Sequence, residues 1–271
     1  MATKYHTRSI SLPSRFHPTT LRVKEELNKL KTWETTSTSW SICIGLSGLE
    51  DLYEGVNDLL NMSSAHEILT HHRNEKCIDE FLDGSVKFLD ICEITRDAMS
   101  QFKGQVQSLQ SALRRRKGDL SIESSIVNYA CFRKKMKKDA KRFIATLKQM
   151  DSKPEASMLQ DPELNFIQLL RQVIVTNSFI FQALLSFLAA SKTKHSKWLI
   201  VSKLMHKGAI ACEIENELQS ADAALTKKTD FEMIQRLDDV EICIQDIENC
   251  LERVFRRLIK TRASILNIIS Q

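Results

Sequence analysis

Glycine and proline are both scarce in this chain of 271 residues, which contains seven and four of them. A strand-rich fold needs both residues at short intervals because they form its tight turns. The prolines are Pro13, Pro18, Pro154 and Pro162, so two long stretches of the chain contain none. This distribution favours long helices.

The cysteines are scattered along the chain, and their spacing is irregular. Seven are present, an odd number, and the chain has no Cys-x-x-Cys pair and no secretory hydrophobic segment at its start. We therefore predict a reducing compartment in which most thiols are free and buried. The predicted location is the cytoplasm, with membrane association, the plastid and the nucleus as alternatives. The cysteines are Cys43, Cys77, Cys92, Cys131, Cys212, Cys243 and Cys250.

Signatures of common enzyme classes are missing as well. The chain contains no GxGxxG, P-loop, HExxH or GxSxG motif. Gly45 and Gly48 lie in a helical pattern with no strand before it, which predicts close helix packing rather than a phosphate site. The histidines and cysteine of the segment His66–Cys77 would be spread around a helix axis, whereas zinc ligands must converge. We expect no catalytic residue, no cofactor and no metal site.

Apolar residues, in contrast, recur every three or four positions along three long segments, Ile78–Leu113, Ile122–Met150 and Leu237–Ile268. We call each such row of positions a stripe. In the first segment, nine of the eleven positions in the stripe are apolar. Only Arg133 is out of character in the second, and only Thr261 is polar in the third. Repeats held this long predict helices that cross at shallow angles, as in coiled coils and long bundles.

The predicted fold is all-α, an elongated bundle of about six or seven helices. Apolar residues beside the stripes widen them, which favours a multi-helix bundle over an isolated coiled coil. Two shorter helices are predicted before the long ones, one after Pro18 and one over Ser39–Met62. Residues 1–17 are predicted to form a disordered basic segment rich in Ser and Thr. Residues 18–271 are predicted to form a single domain with a linker near 151–162.

The segment Val173–Ala190 has eighteen residues without a charge. This length is at the lower edge of what a membrane span requires. Polar residues such as Asn177 and Gln182 lie inside it. A helix buried by its neighbours explains the same composition and is the favoured interpretation, with a membrane anchor as the alternative.

The most basic segment, Arg133–Arg142, holds seven cations in ten residues. Such a run suggests binding to nucleic acid, a nuclear import signal or binding to anionic lipid, but few aromatics accompany it, so we expect no specific nucleic acid. The segment Glu213–Glu248, with eleven acidic and three basic residues, offers an internal partner. Pairing inside the protein or a solvated face is favoured over a binding patch. The candidate patch consists of Arg133, Lys134, Lys135, Lys137, Lys138, Lys141 and Arg142.

Six blocks, in order along nearly the whole chain, resemble a plant family of unknown function, DUF241, also called the BYPASS1-related family. They are RSISLPSRFHP, GLSGLEDLYEGVNDLL, FLDGSVKFLDICEITRD, LQSALRRRKGD, WLIVSKLMHK and LERVFRRLIKTRASILNI. The resemblance implies a role in root and shoot development and supplies no catalytic residue or cofactor. It also implies that the first block belongs to the mature protein.

The first block contains a candidate docking motif, Arg8-Ser9-Ile10-Ser11-Leu12-Pro13. It resembles the R-S-x-S-x-P motif that 14-3-3 proteins bind when the second serine is phosphorylated. Arg8 offers a basic handle to a kinase, phosphate on Ser11 supplies nearly two negative charges, and Pro13 can turn the chain out of a groove. A plastid transit peptide is the alternative, because the first 24 residues carry five basic and no acidic side chains.

These features together predict a non-enzymatic interaction or adaptor protein in plant developmental signalling. Its expected partners are proteins, including a 14-3-3 protein bound through Arg8, Ser9, Ser11 and Pro13. The alternative is a membrane-associated helical protein, anchored through 173–190 or held by the basic helix. The sequence leaves the oligomeric state open.

Overall fold

The computed structural model describes residues 17–33, 36, 38–72, 76–115, 119–149, 162–189, 216–227 and 230–271. Within these ranges the chain forms eight helices and no strand. The predicted all-α fold is therefore confirmed. The predicted linker and the predicted disordered segment lie outside the described residues, except for Pro162 and His17. The helices are α1 (Pro18–Thr32), α2 (Ser39–Leu60), α3 (Ser63–His71), α4 (Lys76–Arg114), α5 (Asp119–Gln149), α6 (Pro162–Leu188), α7 (Glu217–Lys227) and α8 (Asp230–Ile269).

Local signals set several of the helix ends. At α1, Pro18 occupies the first turn, where its missing N–H is not needed, and His17 Nδ1 accepts a hydrogen bond from the N–H of Thr19 at 3.4 Å. At α2, Thr38 Oγ1 accepts one from the N–H of Ser41 at 3.3 Å. The short helices α3 and α7 were not predicted separately, since nine and eleven residues are too few for a clear periodic pattern.

The two longest helices, α4 and α8, form the framework of the bundle. They contain 39 and 40 residues, so each is about 60 Å long. Helix α8 packs against α2, α3, α4 and α7. Every position of the stripe predicted between Ile78 and Leu113 is buried, and so is every position of the stripe between Leu237 and Ile268. The three-four register is therefore confirmed on both helices.

A polar residue inside the α8 stripe is satisfied by a partner on another helix. Thr261 is buried, and its hydroxyl donates a hydrogen bond to Asn57 Oδ1 on α2 at 3.1 Å. Asn57 Nδ2 in turn donates to the carbonyl of Tyr53 at 2.8 Å. Because both polar groups would be costly to bury without partners, this contact favours one register of α8 on α2.

Helix α6 is the most apolar helix. Its segment Asn165–Leu188 is long and apolar enough to cross a membrane, yet most of it is buried inside the bundle. The helix packs against α1, α2, α4 and α5, and Val173, Phe181 and Leu184 are fully buried. The bundle thus accounts for the apolar composition of α6, as the buried-helix interpretation predicts.

Small residues on α2 allow α1 to approach closely. A Cβ added at Gly45 would lie 2.9 Å from the ring of Trp33, and one added at Gly48 would lie 2.6 Å from Leu30 Cδ2. Both distances are shorter than carbon atoms tolerate. The prediction that the GLSG segment serves helix packing is therefore confirmed.

Filling this contact is expected to destabilise the protein. Gly48→Val would force Leu30 and α1 away from α2, at a cost of about 1–3 kcal/mol in the free energy of unfolding. Gly104 on α4 is the matched control, because an added Cβ there would meet no atom within 4 Å. Gly104→Ala should stabilise the protein by about 0.5–1 kcal/mol, since alanine favours a helix interior. Urea unfolding measures both, and equal shifts would contradict the close contact.

Candidate functional site

The basic run lies on α5, and the structure divides it between two sides of that helix. Arg133 is only 2% exposed, and Lys137, one turn later, is half-buried. Both face the bundle together with the buried Met136 and Ala140. The other members of the candidate patch are exposed: Lys134, Lys135, Lys138, Lys141 and Arg142. The three-four spacing of the helix thus turns two cations inward and five outward.

The guanidinium of Arg133 is bound on all sides. Its Nε and Nη2 donate to the two carboxylate oxygens of Asp222 on α7, each at 3.1 Å. Its Nη1 donates to the carbonyl of Leu188, at the end of α6, at 3.1 Å. The ring of Phe102 on α4 lies 5.5 Å from the guanidinium carbon. Arg133 therefore connects four helices through one buried group.

Asp222 is the acceptor at the centre of this cluster. Besides Arg133, it accepts hydrogen bonds from the hydroxyl of Tyr129 at 3.1 Å and from Lys137 Nζ at 2.8 Å. Burial opposes ionisation of Asp222, but the bonds and charges of Arg133 and Lys137 outweigh it and lower the pKa of the carboxyl group. Burial raises the pKa of Tyr129, so its hydroxyl stays protonated and donates. The cluster is a structural junction that holds α7 against α5.

Two other carboxylates of the predicted acidic partner face a different helix, α4. On α8, Asp238 accepts from Arg114 at 2.8 Å and from Gln110 at 2.7 Å, both on α4. Glu241 accepts from Gln107 of α4 at 2.6 Å. Pairing with Asp222 accounts for Arg133 and Lys137. A contact with Asp139 of the same helix accounts for Arg142, and solvation accounts for the four remaining lysines.

The outward cations form a continuous surface that we call the outer basic stripe. Lys134, Lys138 and Lys141 follow a four-three spacing along one face of α5, with Lys135 and Arg142 beside them. Within the described ranges, none of the four lysines makes an ion pair, and Arg142 lies 3.7 Å from Asp139 of its own helix. The stripe therefore presents its positive charge to solvent.

A second surface feature is an open groove between α1 and α2, with a volume of about 530 Å³. Leu30 and Trp33 form its α1 side, and Trp40, Cys43 and Ser47 line its α2 side. The helix predicted over Ser39–Met62 has an apolar pattern that would include Trp40 in the core, but Trp40 is 73% exposed. It lies in the first turn of α2, where an apolar side chain can point past the end of the neighbouring core.

The N-terminal candidate residues Arg8, Ser9, Ser11 and Pro13 lie outside the described residues. The structure shows where the chain that carries them joins the bundle, which is His17 and the first turn of α1. In the segment His66–Cys77, the rings of His71 and His72 contact each other at 5.1 Å. Among the described residues, no group of three or more His, Cys, Asp or Glu side chains could hold a metal ion.

Comparison with known proteins identifies the chain by family. The family model described as Protein BPS1 matches residues 45–268, which is most of the chain. No curated protein and no solved structure matches it. The matched range contains the blocks of α2, α4 and α8 that suggested the resemblance, so that prediction is confirmed. This chain belongs to the BPS1 protein family.

Proposed function

We propose that this chain is a non-enzymatic interaction protein in plant developmental signalling, located in the cytoplasm. Membership of the BPS1 family supports a regulatory role in development. The proposed activity is to hold protein partners, at least one of them through a phosphorylated N-terminal motif. The bundle would act as the scaffold on which that motif is displayed.

This proposal rests on one observation. The buried polar groups of the bundle hold its helices together, whereas the groove and the outer basic stripe are exposed to solvent. Inside, Arg133 with Asp222 and Asn57 with Thr261 are engaged in bonds that hold helices together. Outside, the groove at Trp40 and the outer basic stripe are open to solvent. Open surfaces of this kind suit contact with macromolecules, whereas small-molecule sites are mostly enclosed clefts.

The chemistry of the motif supports a phosphate-dependent contact. Phosphate on Ser11 adds nearly two negative charges and three acceptor oxygens, which an arginine cluster on a partner can bind. Arg8, three residues earlier, gives a basophilic kinase its recognition charge. Pro18 begins α1, so the motif comes just before the folded bundle in the chain. A partner of the 14-3-3 class fits this arrangement.

A peptide covering His6–Phe16 is expected to bind a purified 14-3-3 protein only when Ser11 is phosphorylated. We expect at least about a 100-fold gain in affinity, since two or three charge-assisted hydrogen bonds are added. Fluorescence anisotropy with a labelled peptide measures the dissociation constants. The matched control carries the phosphate on Ser9 instead and should bind like the unmodified peptide. Equal binding of all three peptides would rule out the motif.

A second candidate function, peripheral binding to an anionic membrane, is favoured by the outer basic stripe. Five cations lie together on the exposed face of α5, and within the described ranges none of them forms an ion pair with another helix. Each lysine or arginine near an anionic bilayer contributes about 1 kcal/mol of attraction at physiological ionic strength. This binding would hold the bundle on a surface while the motif reached a soluble partner.

Charge reversal on the stripe is expected to abolish binding to anionic vesicles. Lys134→Glu/Lys138→Glu should lose at least about 10-fold in partitioning onto phosphatidylserine vesicles in a sedimentation assay. The control Lys87→Glu/Lys260→Glu makes the same charge change at exposed positions on α4 and α8 and should bind like the wild type. Equal losses in both variants would remove the stripe as the cause. Sequence-selective binding to RNA or DNA that survives physiological salt would contradict the expectation of no specific nucleic acid.

A further inference from the structure

Two cysteine thiols from distant parts of the chain meet between α2 and α8. The side chains of Cys43 on α2 and Cys250 on α8 are close enough for a hydrogen bond between their thiols, and Glu50 of α2 bonds to Arg253 of α8 further along the same two helices. Both are free thiols in the structure. The two helices pack along each other, so a bond between these sulfur atoms would join elements that lie near opposite ends of the sequence.

The surroundings of Cys250 favour its thiolate form. Arg253 Nη2 lies 3.3 Å from Cys250 Sγ and is held there by Glu50, whose Oε2 accepts from Arg253 Nε at 2.7 Å. The hydrogen bond from Cys43 lowers the pKa of Cys250 to about 6 against the effect of burial, with further help from Arg253 and Ser47. The same pair interaction raises the pKa of Cys43, which therefore keeps the proton. The pair interaction therefore favours a thiolate on Cys250 beside a thiol on Cys43.

Other buried thiols have a different environment. Cys92 is fully buried, and burial raises its pKa. Cys243 lies two turns before Cys250 on the same helix, and burial raises its pKa to about 12. These thiols stay protonated and behave as small apolar side chains. We therefore expect an oxidant to react with Cys250 and not with Cys92 or Cys243.

The groove between α1 and α2 gives this pair access to small molecules. Cys43 and Ser47 both line the groove, and the side chain of each is within hydrogen-bonding reach of the Cys250 sulfur. Cys43 is half-buried, and Cys250 is buried. Hydrogen peroxide is small enough to enter this groove, where it meets the side of the pair that Cys43 presents.

We propose that Cys43 and Cys250 are a redox modification site that hydrogen peroxide converts to a disulfide linking α2 to α8. The thiolate of Cys250 attacks one oxygen of the peroxide and breaks the O–O bond, which leaves a sulfenic acid. The departing hydroxide takes a proton from solvent and leaves as water. The Cys43 sulfur then attacks the Cys250 sulfur, its proton joins the displaced hydroxide, and a second water departs.

The balance of this reaction is two thiols and one peroxide giving one disulfide and two waters. The two sulfur atoms lose two electrons, and the peroxide gains them. A small dithiol reductant such as dithiothreitol reverses the step. Because the disulfide closes a very long loop, it constrains the unfolded chain, and we expect the melting temperature to rise by about 5–15 °C.

Peptide mapping of the full-length protein after peroxide treatment tests the proposal. The oxidised protein should lose the mass of two hydrogen atoms, and digestion should yield one linked peptide pair containing Cys43 and Cys250. Dithiothreitol should restore both the mass and the original melting temperature. Cys131→Ser, which removes an exposed cysteine outside the pair, should leave the linkage unchanged.

Single variants of the pair distinguish the two sulfur atoms. In Cys43→Ser the sulfenic acid on Cys250 has no partner, so a dimedone probe should label Cys250. In Cys250→Ser the probe should leave Cys43 unlabelled. Arg253→Gln should slow alkylation of Cys250 by iodoacetamide at pH 7, since the thiolate loses its positive neighbour. A linkage to another cysteine, equal dimedone labelling of Cys43 and Cys250, or no linked peptide would overturn the proposal.

Discussion

Asp222→Ala is expected to destabilise the bundle by about 3–5 kcal/mol, because it leaves the charge of Arg133 buried without a partner. The Arg133 side chain is 3% exposed and the Asp222 side chain is 23% exposed, so solvent screens this pair only weakly. Tyr129 and Lys137 lose an acceptor at the same time. Urea denaturation of the purified protein measures the change in the free energy of unfolding.

A double variant separates the cost of an unpaired charge from the value of the pair. Arg133→Met/Asp222→Leu removes both charges and fills much of the same volume. It should be closer to the wild type than Asp222→Ala is, since replacing a buried pair by apolar residues is often nearly neutral. A double variant that is less stable than the single one would contradict this account of the cluster.

The same pair predicts how stability depends on pH. The pKa of Asp222 is lower in the folded protein than in the unfolded chain, where it is about 3.9. The stabilisation that ionised Asp222 provides is therefore complete above the pKa of the unfolded state, and it is lost as the pH falls through the pKa of the folded state. The difference between wild type and Asp222→Ala should be constant near neutral pH and should shrink below about pH 4. A constant difference at all pH values would show that the carboxylate charge is not responsible.

Leu251→Asp is expected to cost at least about 4 kcal/mol, because it places a charge in the apolar seam of α8. Leu251 is 0% exposed and lies on the face of α8 that packs into the core. The control is Ile259→Asp on the same helix, at a side chain that is 46% exposed. That variant should change the free energy of unfolding by less than about 1 kcal/mol. Thermal and urea unfolding report both, and similar losses would show that the register of α8 is wrong.

The fold could be predicted from the sequence to a large extent, because its core depends on periodicity. The stripes of α4 and α8 are long enough that only one helical register buries all their apolar positions. Even their polar members, such as Ser85 and Thr261, are buried as the pattern requires. The short helices escaped prediction because about three turns give little periodicity, and their position depends on packing against α8.

The candidate site was less predictable, because it depends on contacts between distant residues. Eleven carboxylates lie between Glu213 and Glu248, and nothing in the sequence distinguishes Asp222 from the rest. Its position opposite Arg133 is fixed only when α7 lies beside α5. The polar residue Arg133 in the α5 stripe was the one available signal, since a cation at a core position requires a buried counter-charge.

The thiol pair could not be predicted from the sequence for the same reason. Cys43 and Cys250 each lie on a helix where cysteine passes for an ordinary apolar residue. Their meeting depends on the register of α2 against α8, which Asn57 and Thr261 help to fix. A lone cysteine on a helix carries no such information, so the pair becomes visible only in three dimensions.

Proximity labelling in plant cells tests the proposed function most directly. The full-length chain would carry the labelling enzyme at its C-terminus, so that the residues around Ser11 remain free. We predict that 14-3-3 proteins are among the most enriched partners of the wild type and that Ser11→Ala loses them while keeping its abundance. If wild type and Ser11→Ala label the same proteins to the same extent, the chain does not act through its phosphorylated N-terminal motif.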